Sequence, residues 1–244
     1  MYQNIYPFGW KIFGESLGEI WLGMMMAILQ EGEYSEDEGR KRIALQEVML
    51  KSHTQNLPDT IISKYGNNDN LEELVKLTFE EPKMHDFDVN PSFPAGAKSY
   101  YQRLKEGKMI EFVVERLTKY PESKKAVMVF PTYEDYKAVL NAPDADYLPC
   151  IVSVHFRIVV KNGRYIMNTM SYARSIDAHQ KAHANLVAIA MMTEKICKQL
   201  TENLKRDVIP GSFSIWIADA HIYEETEKEA RILIEKTRNQ VCKY

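Results

Sequence analysis

Four short signals in the second half of the chain carry residue types that do chemistry. Leu148-Pro149-Cys150 puts a thiol at the head of an apolar, β-branched run. A thiolate is a strong nucleophile, and a nearby cation raises its fraction above that of a free thiol with a pKa of about 8.5. Ala173-Arg174-Ser175-Ile176-Asp177 offers such a cation, with a hydroxyl and a carboxylate beside it. Asn185 follows Arg174 by eleven residues and brings an amide that both donates and accepts hydrogen bonds. His221 and Tyr223 are two apart, so on a strand both project from one face. Each is ordinary alone: a strand cysteine is usually a small buried hydrophobe, and Arg-Ser-x-Asp suits an exposed turn. Their joint order is what points to a site.

The elements that must position these groups are legible around them. Pro149 to Val160 alternates as a strand, Lys161-Asn162-Gly163 is a hairpin turn, and Arg164 to Tyr172 returns as its partner. Cys150 and Arg174 then sit at the open end of one hairpin. Ala182 to Leu200 reads as a long buried helix, with Asn185 in its first turns. Pro210 and Gly211 break the chain before a strand over Ser212 to Tyr223, and a charged amphipathic helix over Glu224 to Val241 follows.

The first half is less legible. Glu15 to Gln30 has helical spacing, punctuated by Gly14 and Gly32, and its Met24 to Met26 run reads as core filling. Glu31 to Arg42 reads as an exposed charged loop and Arg42 to Leu50 as a strand. Pro58 to Asn70 carries turn signals before a short acidic helix near Leu71 to Glu81. Asp86 to Gly96 reads as an irregular loop, Ser99 to Leu104 and Met109 to Leu117 as helices, and Lys125 to Phe130 as a strand. The expectation is one α+β domain over residues 1–244, a mixed, mostly antiparallel β-sheet covered by helices.

Bulk properties exclude several classes. The 244 residues are 45% hydrophobic and 27% charged, with a net charge of −3. That describes a globular chain without general affinity for nucleic-acid polymers or anionic membranes. Three widely spaced cysteines suit reduced thiols, and no zinc-ligand spacing appears. No signal peptide or membrane-length apolar run is visible, so cytoplasm is the default expectation.

The constellation resembles the thymidylate synthase family, which includes the pyrimidine nucleotide hydroxymethylases. That family carries a Pro-Cys nucleophile, an Arg-Ser-x-Asp motif, an Asn eleven residues after that Arg, and a His-x-Tyr motif. Upstream, Tyr100-Tyr101-Gln102-Arg103-Leu104 is similar to its tyrosine-containing stretch, and Pro121-Glu122-Ser123-Lys124-Lys125 to its Pro-x-Ser-Arg-Arg segment. The match covers about residues 99 to 223. It implies catalytic roles for Cys150, Tyr100 and Asp177. It implies phosphate contacts from Arg174 and Ser175, and from Lys124 and Lys125 of a neighbouring subunit. The same resemblance assigns the base edge to Asn185, which argues for uracil, and the ribose to His221 and Tyr223.

The activity so implied is methylation of dUMP at C5, with 5,10-methylenetetrahydrofolate as donor, in a homodimer. The alternatives are C5 hydroxymethylation of a uracil or cytosine nucleotide, or a nucleotide-binding relative without catalysis. The chemistry is coherent: thiolate addition at C6 of the pyrimidine makes C5 enolate-like, able to attack a one-carbon electrophile.

Five departures stand beside the resemblance. Cys150 to Arg174 is four residues longer than the family's usual spacing, which two extra residues on each hairpin arm absorb without changing faces. Where the family places a Gly-x-Pro segment against the folate, this chain has Ala178-His179-Gln180-Lys181-Ala182-His183-Ala184. No N-terminal Gly-rich arginine loop for phosphate is found, and the C-terminus lacks the family's small apolar tail. The Lys pair replaces an Arg pair, keeping charge but losing the planar fork. For the family's essential glutamate, Glu47, Glu73 and Glu80 are the candidates.

Overall fold

The computed structural model describes residues 2–4, 9–91, 93, 95–141 and 147–241. Cys242 and the tail beyond it lie outside the described residues, as do Ser92 and Pro94 of the 86–96 loop. Among the described residues the strands are β1 (Tyr2–Asn4), β2 (Trp10–Gly14), β3 (Glu33–Asp37), β4 (Arg40–Ser52), β5 (Val127–Val129), β6 (Ile151–Lys161), β7 (Arg164–Ala173), β8 (Ile176–Asp177) and β9 (Val208–Tyr223). The helices are α1 (Leu17–Glu31), α2 (Thr60–Tyr65), α3 (Asn68–Phe79), α4 (Tyr100–Glu106), α5 (Met109–Lys119), α6 (Tyr133–Asn141), α7 (Ala182–Leu204) and α8 (Glu224–Val241). None is long and apolar enough to cross a membrane.

All strands join one sheet in the order β1-β2-β4-β9-β7-β6-β5, with β3 beside β4 and β8 beside β9. The pairs β2–β4, β7–β9 and β8–β9 are parallel and the others antiparallel. This is the expected α+β architecture with a mixed, mostly antiparallel sheet.

Period-2 alternation sorts the two faces. Ile12, Leu50, Ile215, Phe213, Val154 and Phe156 are buried beneath α1 and α7. The opposite face is open. Phe13 on β2, Trp216 on β9, Met170 and Tyr172 on β7 and Val129 on β5 stand exposed there, with Ser153 and His155 of β6 between the last two strands.

The hairpin turn is as expected: Asn162 and Gly163 have φ of 52° and 75°, the left-handed pair that matches strand twist. Helix α1 starts at Ser16, whose Oγ accepts the Glu19 amide, and it is buried almost all round because sheet, α7 and α8 surround it. Gly18 is required where α1 meets α2: an added Cβ would lie 2.4 Å from Ile61 and 2.5 Å from Asp59 Oδ1.

Three sequence expectations are corrected. The charged stretch Glu31 to Arg42 is exposed but forms the β3–β4 hairpin, because its backbone completes the sheet edge while every β3 side chain faces solvent. Within Pro58 to Asn70 lies helix α2, capped by the Asp59 carboxylate on the amides of Ile61 and Ile62. A helix of six residues is too brief to show periodicity. Pro210 and Gly211 do not precede the last strand but lie inside β9. There a bulge between Met167 and Thr169 absorbs them, and Asn168 Oδ1 takes the Ser212 amide. Helix α6 is also unforeseen; it has no buried residue and therefore no apolar stripe to read.

Candidate active site

Cys150 stands at the mouth of β6, and the backbone on both sides of it is pinned. Arg174, closing β7, donates from Nη2 to Leu148 O at 2.6 Å and from Nε to Leu148 O and Pro149 O, each at 3.3 Å. Its own amide donates to Cys150 O at 2.9 Å. On the other side the Tyr100 hydroxyl accepts the Ile151 amide at 3.0 Å. Tyr100 is buried edge-on to Phe130 and hydrogen-bonded to Tyr147, and burial drives its hydroxyl well above the ordinary phenol range. Cys150 itself is half-buried, whereas Cys197 is buried in α7 and burial pushes its thiol up to about 12. Of these two thiols, Cys150 is the one placed to react.

The next wall is the turn between β8 and α7. Strand β8 pairs with β9, setting Asp177 against His221. Asp177 Oδ1 accepts the amides of His179 and Gln180, each at 2.9 Å, and Oδ2 accepts Gln180 Nε2 at 2.8 Å. Trp21 Nε1 donates to Ala178 O at 2.8 Å, so buried α1 fixes the same turn. Beyond it Lys181 Nζ meets Asp86 at 2.7 Å and Asp88 at 3.0 Å. Gln180 Oε1 accepts the Val89 amide at 2.8 Å. The 86–89 loop is therefore bolted to the β8–α7 turn by one ion cluster and one amide.

These charges are buried, and their proton affinities show it. Burial raises the Asp88 carboxyl to about 6, with Lys181 pulling down and Asp177 and Asp86 pushing up. Burial disfavours the Lys181 ammonium, but Asp88 and Asp86 outweigh it and hold its pKa above the usual value.

The third wall comes from the end of β9. His221 Nδ1 lies 2.9 Å from Asp219 Oδ1, and Arg42 pairs with the same carboxylate. Tyr223 packs on His221 at 4.7 Å between ring centres. Its other side carries the Arg40 guanidinium 3.4 Å from the ring centre, an arrangement that joins cation–π attraction to stacking. Arg40 also pairs with Glu225, and with Asp88 at 3.8 Å.

These walls enclose a cleft of about 260 Å³. Six sequence-predicted residues line it: Cys150, Arg174, Ser175, Asp177, His221 and Tyr223. Tyr100 and Asn185 lie behind it, around a small void with Ile151; the Asn185 amide donates to Lys181 O at 3.0 Å and does not reach the lining. Lys124 and Lys125 are exposed and away from this chain's own cleft.

None of the three glutamate candidates lines the cleft. Glu47 is exposed at φ 56°, Glu73 pairs with Lys76 and His85, and Glu80 is exposed. The carboxylates that do line it are Asp37, Glu38, Asp88 and Asp177. Asp88, Lys181 and Tyr147 were missed from sequence. The available signal for Asp88 was Phe87-Asp88-Val89, a carboxylate between two apolar residues in a loop.

A second cavity, about 320 Å³, lies across the wall made by the 86–89 loop and the β8–α7 turn. Trp21, Tyr65, Phe87, His179 and Gln180 are among its lining.

The sequence profile of the thymidylate synthase family matches residues 61–244, well over half of the chain and further toward the N-terminus than the motifs reach. No curated protein shows a significant match. The match contains the strand opening that holds Cys150, the Arg174 clamp and the His221–Tyr223 wall. The chain belongs to the thymidylate synthase family.

Proposed function

We propose that the protein substitutes C5 of a pyrimidine nucleoside monophosphate through a covalent Cys150 adduct. The carrying observation is one cleft in which a half-buried thiol faces Arg174 and Ser175 on one side and His221 and Tyr223 on the other. Membership in the family supports a C5 methyl or hydroxymethyl transfer in general. In this reading the Cys150 thiolate bonds to C6 and makes C5 nucleophilic. C5 then takes the one-carbon unit and loses its proton, and the thiolate is expelled. Arg174 and Ser175 hold the phosphate, and His221 and Tyr223 hold the sugar.

The family generally uses 5,10-methylenetetrahydrofolate, which supplies a one-carbon unit and, for the methyl product, a hydride. Phe93, Val139 and Leu148 line the same cleft as Cys150 and would offer the apolar surface for a pterin beside the pyrimidine. The cleft volume of about 260 Å³ is near the lower end of the usual range for one small ligand, about 300–1,000 Å³. Where the resembling segment has glycine and proline, Lys181 enters the cleft with its partner Asp88. The polar wall this creates favours a second reading, hydroxymethylation, in which water completes the reaction in place of a hydride.

The open sheet face supports a homodimer. Exposed apolar side chains gathered on one sheet face mark an association surface, and Lys124 lies beside His155 on that same face. Pairing two such faces brings Lys124 and Lys125 of one subunit toward its partner.

The test is tritium release from dUMP, UMP, dCMP and CMP labelled at C5, with and without methylenetetrahydrofolate. Release that disappears in Cys150→Ala supports the adduct and names base and sugar. Dihydrofolate absorbance appears only with the methyl product. Binding without release from any of the four would leave a nucleotide-binding relative.

A further inference from the structure

The proton on C5 must leave, and the cleft narrows the choice of acceptor. Tyr100 is behind the lining, with its hydroxyl engaged by Ile151 and Tyr147. Asp37 and Glu38 are exposed at the tip of the β3–β4 hairpin. Asp177 has both oxygens engaged in the three hydrogen bonds that shape the β8–α7 turn. His221 is held on Asp219 at the sugar wall.

Asp88 differs from all of these. Its side chain is 2% exposed and lies on the cleft lining with Cys150. Its Oδ1 pairs with Lys181 Nζ at 3.0 Å, a hydrogen-bonded contact that holds the carboxylate at the cleft lining. The nearby charged groups are Lys181, Asp86 and Asp177 on the turn side, and Arg40 and Tyr223 on the sheet side.

We infer that Asp88, positioned by Lys181, is the carboxylate that removes the C5 proton in this cleft. The inference rests on the C5 reading above. Once C5 bears its new substituent, the C5–H bond breaks and its hydrogen passes as a proton to an Asp88 oxygen. The bonding pair moves toward C4 and O4 as an enolate. It then returns to release the one-carbon unit from its carrier, leaving an exocyclic methylene on C5. Water, or a hydride from the donor for the methyl product, adds to that carbon. The enolate so regenerated restores the C5–C6 double bond as it expels the Cys150 thiolate from C6. The proton removal itself needs no oxidant or reductant, and the Asp88 carboxylic acid passes its proton to water.

The pH dependence follows with a definite sign. The carboxylate is the working form, so release falls as pH drops through about 6. Lys181 lowers that value, so Lys181→Gln moves the acid limb to higher pH. The experiment is C5 tritium release against pH for the whole chain, with nucleotide affinity measured calorimetrically on the same samples. In Asp88→Asn, release is expected to fall about 100-fold or more while affinity changes less than about threefold, with Asp88→Glu recovering part of the rate. Release within threefold of the parent, or an equal loss of affinity and rate, overturns the assignment. Should Asp88→Asn fail to fold, the limb decides: an acid limb that Lys181→Gln leaves in place also overturns it. A parent protein that releases no tritium sinks the C5 reading itself, whereas parent release with an indifferent Asp88 sinks only this step.

Discussion

The hydroxyl of Tyr100 accepts the backbone N–H of Ile151 at 3.0 Å, one residue beyond Cys150. Tyr100→Phe leaves that buried donor without its acceptor, at a cost of roughly 1–3 kcal/mol. The expected result is a lower denaturant midpoint at unchanged slope, with slower tritium release as the strand mouth loosens. With Asp88 as the proton acceptor, the acid limb of the pH profile should stay where it is; a limb that moves would return the proton to Tyr100.

Arg174 joins two tasks: it clamps the Leu148 and Pro149 carbonyls and reaches the cleft. Lysine keeps the charge but cannot donate in a planar fork. Arg174→Lys is expected to cost about tenfold or more in nucleotide affinity, the scale of one charge-assisted hydrogen bond. Affinity for the nucleoside without phosphate should change less. Equal losses for nucleotide and nucleoside would remove the phosphate role and leave only the clamp.

The two described cysteines should react differently. With Cys197 buried and its thiol pushed up to about 12, iodoacetamide is expected to label Cys150 in the native protein and spare Cys197. Saturating nucleotide should protect Cys150. Peptide mapping by mass spectrometry reads both sites separately, and labelling of Cys197 at a comparable rate would show that α7 opens.

His183 is fully buried on Trp21, with Nε2 3.1 Å from Asn67 O. Burial lowers its pKa to about 4 from an ordinary 6.5, so it folds as the neutral ring. The unfolded chain then binds more protons between these values, and stability is lost as pH falls from about 6.5 toward 4. The shift corresponds to about 3 kcal/mol. Denaturation midpoints at pH 7 and 4.5 should converge in His183→Phe relative to the parent; an equal acid loss in both would place the sensitive group elsewhere.

Trp216 and Tyr172 are register partners on the open sheet face and both are exposed. Trp216→Lys puts a charge at the centre of that patch. Sedimentation or size-exclusion chromatography is expected to shift from dimer to monomer, with loss of tritium release if the phosphate site is shared. A Trp216→Lys protein that stays dimeric would move the interface off this face.

What the sequence showed well was local in origin. The Cys150 hairpin was readable because period-2 alternation and an Asn-Gly turn act within a few residues. Helix α7 showed in its length, and the His221–Tyr223 pair by its spacing alone. Strand β3 and helix α2 were not readable, since the side chains of the first are all exposed and the second is only six residues long. Such elements hold their place through the backbone of distant neighbours.

Within the site the same division applies. Residue type and order were enough to bring Cys150, Arg174, His221 and Tyr223 into view, because each sits where a strand begins or ends and strand ends are set locally. Only the tertiary structure decided that Asp88 and Lys181 join them at the cleft, and that Asn185 and Tyr100 stand behind it. Asp86 and Lys181 are 95 residues apart in the chain. They meet because Trp21 and Asp177 fix the β8–α7 turn while Gln180 holds the loop opposite. Burial then gives the charges their strength, and burial belongs to the whole fold rather than to any stretch of sequence.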